Sequence, residues 1–451
     1  YADGNFERAS LTLPGGVVTY SCYDAVGRVT KLKSATNCGN NTGLIASYAY
    51  DDLSRRSTVT LGNGVVTSLT YTGVGDLHTY GHVFSGGPGN ITWTQAYNRA
   101  GQVTSSVLSN TAWLWNGHYN LDRTATPNGL NQLTPRWGNR ALSYDTAGNL
   151  TREGASTFAY DAENRLTGAQ TPRATVSYAY DVEGQLMTRA SSAASGTRTY
   201  LYDGTDIVAE YDGAGAVVRR YVHGPGIDEP ILVYEGSGTG TQRYLFTDPQ
   251  GSVAARADGS GVVSAVYSYG PYGEPAGPDG ELYRYTGQTL DPDTGLYNYK
   301  ARAYSSRLGR FLQTDPIGYE DDLNLYAYVS NRIKNTDALK GSPTGYLFTS
   351  TLDSISSTAK ALSQGNFWSA AGQAILGVLP AGKAAKAAKS LGANPFKGKT
   401  AVQIANMLQK EGYVPRGPNP LAGKGTYLNP KTGRGYHIDA SHPAPKGPHV
   451  G

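Results

Sequence analysis

Polar and apolar positions alternate in short runs along most of the chain, and the runs return with one shared phrase. In Ser177-Tyr178-Ala179-Tyr180 successive side chains point to opposite faces, with the tyrosines on one of them, which predicts a strand. The phrase then continues through Asp and Gly and restarts a strand. It reads Tyr23-Asp24-Ala25-Val26-Gly27-Arg28-Val29-Thr30, then Tyr144-Asp145-Thr146-Ala147-Gly148-Asn149-Leu150-Thr151. It returns as Tyr160-Asp161-Ala162-Glu163-Asn164-Arg165-Leu166-Thr167 and as Tyr180-Asp181-Val182-Glu183-Gly184-Gln185-Leu186-Met187. Looser copies start at Tyr50, Tyr97, Tyr119 and Tyr202, and successive starts lie 16 to 47 residues apart, far enough to hide degenerate copies. Asp supplies a local side-chain bond and Gly tolerates positive φ, so each copy predicts a β-hairpin, and the run of copies a long antiparallel sheet.

This phrase resembles the YD-repeat of bacterial Rhs and teneurin-like proteins. The resemblance sharpens between Tyr244 and Asp337. There the chain reads Tyr244-Leu245-Phe246-Thr247-Asp248-Pro249-Gln250-Gly251, then Tyr269-Gly270-Pro271-Tyr272-Gly273-Glu274 and Tyr285-Thr286-Gly287-Gln288. Asp291-Pro292-Asp293-Thr294-Gly295-Leu296-Tyr297-Asn298-Tyr299 follows, then Gly309-Arg310-Phe311-Leu312-Gln313-Thr314-Asp315-Pro316-Ile317-Gly318 and Asn324-Leu325-Tyr326-Ala327-Tyr328. This ordered string is similar to the Rhs-associated core. The resemblance implies a mainly β fold in which the hairpin sheet curls into a hollow shell, or cocoon, around the C-terminal segment of its own chain. A small α+β C-terminal domain would follow. A propeller or solenoid would show a stricter period.

Composition agrees with a turn-rich β structure, with 34 Tyr against 8 Phe, 58 Gly, and 39% hydrophobic residues. That fraction argues against one compact core and for a curved sheet lined with Tyr, Thr and Ser. Cys22 and Cys38 are too few for a disulfide framework, and a bridge between them would staple a single repeat. No apolar run is long enough to span a membrane. The first residues already lie inside a repeat, with no initiator Met or signal segment, so an upstream export or docking domain is expected to be missing from this fragment.

Charge divides the chain. Residues 1–340 carry 27 Lys and Arg against 32 Asp and Glu; residues 341–451 carry 12 against 3, and only 4 of the 34 tyrosines. The expected organisation is a YD-repeat shell over 1–243, an Rhs-associated core over 244–341, a helical linker over 342–398 and a basic toxin domain over 399–451. A basic tail suits a nucleic-acid partner, and equally a shell of opposite charge that holds it.

Asp315 lies in Asp-Pro-Ile-Gly, and Asp337 follows 22 residues later in Asn335-Thr336-Asp337-Ala338-Leu339-Lys340-Gly341. In many Rhs proteins two such motifs form an aspartyl-protease-like pair that cleaves the chain just after the second. Two carboxylates sharing one proton allow one to act as base on water while the other donates to the carbonyl. The family's cleavage position would fall near Gly341; here Ala338 replaces the second proline and the next glycine is one residue late, a departure from the family's motif. Arg310 is a further candidate for orienting or charge-balancing Asp315. The bland reading is that Asp315 only turns the chain ahead of Pro316.

Beyond the boundary, the Ala- and Ser-rich stretch from Thr351 to Leu391 reads as a linker helix, with a membrane-touching helix as the rival. Thr400 to Gly412 predicts an amphipathic helix with Val402, Ile404, Ala405 and Leu408 on its core face. Thr426–Asn429 and Arg434–Asp439 read as two strands around a turn. Three of the seven histidines, His437, His442 and His449, fall in the last 15 residues. With Asp439 to orient a histidine and Arg434 and Lys446 to bind phosphate, they suit metal-free RNA cleavage. Zinc held by the histidines is the rival, and surface histidines are the bland reading. The tail is similar to the tips of polymorphic toxins, and its end at Gly451 suggests that this tip is truncated.

The reading is therefore an Rhs-family antibacterial toxin fragment with no cofactor and no metal. It would be secreted and delivered to neighbouring cells by type VI or another contact-dependent export system, with RNA as its substrate and a cognate immunity protein as partner. The alternative is a non-enzymatic cell-surface YD-repeat protein that binds carbohydrate or another cell.

Overall fold

The computed structural model describes residues 8–117, 126–134, 136–137, 140–277, 280–320 and 323–328, and in the C-terminal part 401–410, 412–419, 424–428, 430, 435–436, 438–439 and 449–450. Contacts divide the chain into two units, Tyr1–Pro343 and Thr344–Gly451. The first is almost wholly β. Nine strands from Ser10–Leu13 to Val103–Leu108 form one sheet, and fourteen from Arg136–Trp137 to Val263–Val266 form another. In both sheets every strand pairs with its sequence neighbour, the order that a run of hairpins dictates. A four-stranded sheet follows, with strands Thr289–Leu290, Leu296–Tyr299, Arg302–Ser305 and Arg310–Phe311. The strand Gln242–Thr247 crosses the expected boundary at 243, so the core string begins inside the larger sheet.

Each repeat is closed by the same set of bonds. Asp24 Oδ1 accepts the backbone N–H groups of Val26 at 3.1 Å and Arg28 at 3.0 Å, and Asp161 and Asp181 do the same two and four residues on. The residue two positions before the strand restarts sits at positive φ; it is Gly27 at 80° and Gly184 at 84°, but Asn164 and Ser54 also adopt this conformation. The register slips by one residue at the tyrosine, between Cys22 and Tyr23, Ala49 and Tyr50, and Ala179 and Tyr180. That slip aims the ring back along the sheet. Tyr50, Tyr71, Tyr160, Tyr180 and Tyr202 donate their hydroxyls to the carbonyls of Val29, Arg56, Leu150, Leu166 and Leu186, at 2.7 to 2.9 Å. Each acceptor opens the return strand of the preceding hairpin. Where Arg follows the turn it covers the next tyrosine, Arg28 over Tyr50 at 4.5 Å and Arg55 over Tyr71 at 4.1 Å.

The tyrosines of the phrase are thus half-buried fasteners at strand ends rather than a polar lining. The buried faces are mostly aliphatic: Ile45, Leu61 and Ile91 of the smaller sheet pack in one cluster with Val222, Leu232 and Phe246 of the larger. Alternation along each strand supplies this face, which the overall hydrophobic fraction conceals. Polar bonds cross the same seam. His82 Nε2 donates to the Thr247 carbonyl at 2.7 Å while Nδ1 accepts from Thr67 at 2.9 Å. Arg56 pairs with Glu229 at 2.6 Å. Cys22 and Cys38 form a disulfide, which closes one local loop.

In the second unit the helix Ala401–Lys410 buries Ile404, Ala405 and Leu408 against Tyr427 of the strand Lys424–Leu428. Val402, expected on the core face, is exposed, because two residues along a helix turn a side chain to the opposite side. Gly412, at φ 84°, closes the helix by donating to the Gln409 carbonyl. Strands Val414–Asn419, Lys424–Leu428 and Gly435–Tyr436 form a sheet, and Ile438–Asp439 pairs with His449–Val450. The expected linker helix and Tyr119 lie outside the described residues.

Replacing Tyr180 by Phe removes the bond to Leu166 and leaves a half-buried carbonyl short of a partner, so urea unfolding should show a loss of about 1–2 kcal/mol. The same change at Tyr23, whose bond to Arg8 is exposed, should cost under about 0.5 kcal/mol. Burial pushes the His82 imidazole down to about 4, so the folded state binds its proton less readily than the unfolded chain. The stability this group contributes is complete above about pH 6.5 and lost as the pH falls towards 4, by about 3 kcal/mol. His82→Gln should remove that part of the slope when urea midpoints are compared between pH 7 and 4.5.

Candidate functional site

Asp315 follows the last strand of the four-stranded sheet and is held from two directions. Its own turn is closed by Gly318 N–H on the Asp315 carbonyl at 2.9 Å and by Ile317 N–H on Oδ1 at 3.1 Å. Its Oδ2 receives the Arg302 guanidinium at 2.9 Å, with the Arg302 side chain 1% exposed and that of Asp315 12%. Arg302 also lies 3.7 Å over the Phe311 ring and donates to the Leu325 carbonyl.

Arg310, the expected partner, points elsewhere. It donates to the Asn131 carbonyl at 2.8 Å and lies over Tyr326. The reason is register. Ala303 accepts from Leu312 and Tyr304 faces Phe311, so Arg302 lies level with the chain leading into Asp315, while Arg310 faces Ser305 in the strand body. Three arginines, at 302, 307 and 310, compete in the sequence for this role, and no local pattern separates them.

The rest of the core string builds the support. Asp291 receives Arg189 at 2.9 Å and the Tyr178 hydroxyl at 2.6 Å, while Asp293 receives Arg189 and Ser191. The Asp-Pro-Asp-Thr-Gly loop thereby clamps the four-stranded sheet to the larger one. Tyr297, Tyr299 and Tyr304 are fully buried around Phe311, and burial holds their phenols above the ordinary range. Tyr326 donates to the Gly148 carbonyl at 2.6 Å, which ties the final segment back to a hairpin turn.

A cavity of about 580 Å³ lies between the larger sheet and this layer, and Arg302 and Gln313 form part of its wall. A ladder of charges crosses neighbouring strands at its side: Arg198 to Glu210 at 2.9 Å, Glu210 to Arg219 at 3.6 Å, Arg219 to Glu235 at 3.3 Å and Glu235 to Arg243 at 3.0 Å. Glu281 faces the same cavity, and burial raises its carboxyl above the usual range against the pull of Arg219, Arg243 and Arg256. The pairing of these charges is not visible in the sequence, since their spacings follow hairpin lengths.

Asp337, Arg434, His437, His442 and Lys446 lie outside the described residues. Of the remaining tail candidates, the backbone register sets Asp439 opposite His449. Among the described residues no three His, Cys, Asp or Glu side chains are grouped to hold a metal ion, and no helix is long and apolar enough to cross a membrane.

Breaking a buried ion pair leaves a charge without its counterpart, so Arg302→Gln should cost about 3 kcal/mol. Asp315→Asn in that background should cost much less than alone, and a double-mutant cycle of urea unfolding should return a coupling of about 2 kcal/mol. Arg310→Gln should show no coupling to Asp315.

A family model described as the teneurin YD-shell matches residues 89–335. The chain is 35% identical over 233 residues to the tRNA3(Ser)-specific nuclease WapA of Bacillus spizizenii, which covers 47% of this chain and 10% of that protein. It is 27% identical over 239 residues to double-stranded DNA deaminase toxin A of Burkholderia cenocepacia, covering 44% of this chain and 16% of that one. The crystal structure of TcdB2-TccC3-TEV superposes with a TM-score of 0.55 at 18% identity, over 76% of this chain and 21% of the other. The Photorhabdus luminescens Tc holotoxin pore gives 0.54 at 18%, over 74% and 21%. At that identity the structural likeness shows the fold alone, and the chain spans only a small part of each relative's length. The tyrosine-fastened hairpins and the matched residues agree: the chain belongs to the Rhs/YD-repeat polymorphic toxin family and carries its teneurin-type YD shell.

Proposed function

We propose that this chain is the shell and tip of an Rhs-type toxin, in which the YD shell carries a C-terminal nuclease and releases it by cutting its own chain. The observation that carries the reading is a coincidence of position. The division between the two units at Pro343 falls where the charge turns from acidic to basic and tyrosine thins out, a few residues after Asp337. Asp315, fixed by Arg302, which lines the cavity wall, supplies a carboxylate already held in place by its partner. In the proposed step that carboxylate takes a proton from water, the water oxygen adds to the carbonyl carbon near Gly341, and the Asp337 carboxyl protonates the carbonyl oxygen. Collapse of the intermediate breaks the C–N bond, and the departing nitrogen takes the proton.

For the tip we propose metal-independent RNA cleavage by His437, His442 and His449, with Asp439 orienting a histidine and Arg434 and Lys446 on the phosphate. One imidazole removes the 2′-hydroxyl proton, the 2′-oxygen attacks phosphorus, and a second imidazole protonates the leaving 5′-oxygen, which leaves a 2′,3′-cyclic phosphate. The register of Asp439 opposite His449 supports this arrangement. So does the activity of the Bacillus relative, a tRNA nuclease, while the deaminase relative fits a shell that carries different tips. Delivery to a neighbouring cell and neutralisation by an immunity protein belong to the same proposal.

The test is the intact mass of the denatured wild-type chain beside Asp315→Asn, followed by incubation of each sample with tRNA in EDTA. Wild type should yield a fragment ending near residue 341 that the variant lacks, and cyclic-phosphate products that His442→Ala reduces at least about 100-fold. A single 47.8 kDa species in both samples would overturn self-release. RNA left intact by the wild-type sample would overturn the nuclease and favour the non-enzymatic, surface-binding alternative.

A further inference from the structure

A second cavity, of about 270 Å³, is lined by none of the residues around Asp315. It opens between strands Ser10–Leu13, Val17–Tyr23 and Val29–Lys33 on one side and Thr197–Asp203, Asp206–Asp212 and Val217–His223 on the other. Much of its wall is apolar, with Leu11, Leu13, Leu32, Val208 and Val222 facing in. At its polar end two acceptors stand side by side with no donor between them among the described residues.

The first is His223. Its Nε2 lies 2.9 Å from the Ile207 carbonyl, which can only accept, so Nε2 carries the proton of the neutral ring. With Nε2 as the donor, the neutral tautomer has its lone pair on Nδ1, which has no hydrogen-bond partner among the described residues although the side chain is only 7% exposed. The second acceptor is Asp206, whose Oδ1 is 3.9 Å from Nδ1, too far for a direct hydrogen bond.

The charges around Asp206 are already committed. Asp203, directly opposite it across the hairpin, is gripped by both guanidinium nitrogens of Arg8. Asp228 holds the Lys300 ammonium at 2.7 Å. Asp206 is left with one negative charge, half shielded from water, beside a bare imidazole nitrogen. Burial accordingly lifts its carboxyl above the ordinary range. A buried carboxylate without a cation is costly, and an unpaired imidazole nitrogen adds to that cost. Because no third His, Cys, Asp or Glu among the described residues joins them, the site does not supply a metal's ligand set.

We infer that this cavity binds an organic primary ammonium ion, with two N–H groups bridging Asp206 and His223 and the attached alkyl chain lying against Leu13 and its neighbours. A nitrogen about 2.9 Å from each acceptor spans the 3.9 Å gap with two of its hydrogens. The space equals that of about nine waters, room for a chain of several carbons. The ammonium comes either from a free alkylamine or from a lysine side chain.

Isothermal titration of the full chain at pH 7.5 tests this with methylammonium, n-butylammonium and Nα-acetyl-lysine amide, and with 1-butanol as the uncharged control. n-Butylammonium should bind saturably at one site, at least about tenfold more tightly than methylammonium, while 1-butanol gives no saturable heat. Asp206→Asn and His223→Gln should each weaken it at least tenfold. The glutamine retains a donor for Ile207 and removes the Nδ1 acceptor. Binding of Nα-acetyl-lysine amide as tight as n-butylammonium would assign the site to a lysine side chain; binding of n-butylammonium alone would assign it to a free amine. Absence of saturable binding by either amine would overturn the site, and so would an affinity unchanged in both variants. The comparison of methylammonium with n-butylammonium uses only the wild-type chain, so it stands even where a variant fails to fold.

Discussion

A tyrosine hydroxyl reaching the backbone carbonyl of the preceding hairpin is the constraint on which the sheets depend. An isolated hairpin is marginal in water, and a chain with 39% hydrophobic residues has little apolar surface to spare for each one. The tyrosine answers this by serving two neighbours at once. Where an arginine follows the turn, the ring receives it on one face, while the hydroxyl bonds the carbonyl that opens the preceding return strand. The aspartate beside it holds the turn tightly enough for that slip to recur at the same place in each copy. Because the bond points backwards along the chain, each hairpin is stabilised by the one before it, and the sheet grows in sequence order.

This arrangement explains why polar residues are so abundant in the interior layers. Between the larger sheet and the four-stranded layer, apolar packing of Leu296, Ala303 and Leu312 against Leu142, Leu150 and Leu166 is joined by the Asp291–Arg189–Asp293 clamp. Within the layer, Tyr297 and Tyr304 donate to backbone carbonyls and Tyr299 to the Tyr328 phenol. The Arg302–Asp315 pair is part of such a network, held by the Leu325 carbonyl on one side and the Ile317 N–H on the other. Asp315, the carboxylate proposed for self-cleavage, is thus fixed by structural bonds. The cavity at Asp206 and His223 is one place where a buried polar atom, His223 Nδ1, lacks a hydrogen-bond partner among the described residues.

What was legible in the sequence was whatever repeats locally. The alternation of side chains, the Asp-to-backbone turn and the tyrosine at a fixed offset all act within one or two hairpins, so a single copy carries their signal. The family string between Tyr244 and Tyr328 was equally legible. Even the degenerate copy at Tyr71, where Thr72 stands for Asp, keeps the turn through its hydroxyl at 3.1 Å from Asp76 N–H. The short helix Ala401–Lys410 was readable for the same reason, apart from the facing of Val402.

Tertiary structure decided the pairings across long distances. Arg302 rather than Arg310 meets Asp315 because hairpin register sets which arginine lies level with the turn. Arg189 meets Asp291 and Asp293 from about a hundred residues away, and Arg8 meets Asp203 from farther still. Charged partners of this kind leave no periodic trace, since electrostatic attraction depends on distance in space and not on separation along the chain. Local sequence therefore determined the hairpin and its fastener, while the closing of sheet upon sheet chose which charges became a site.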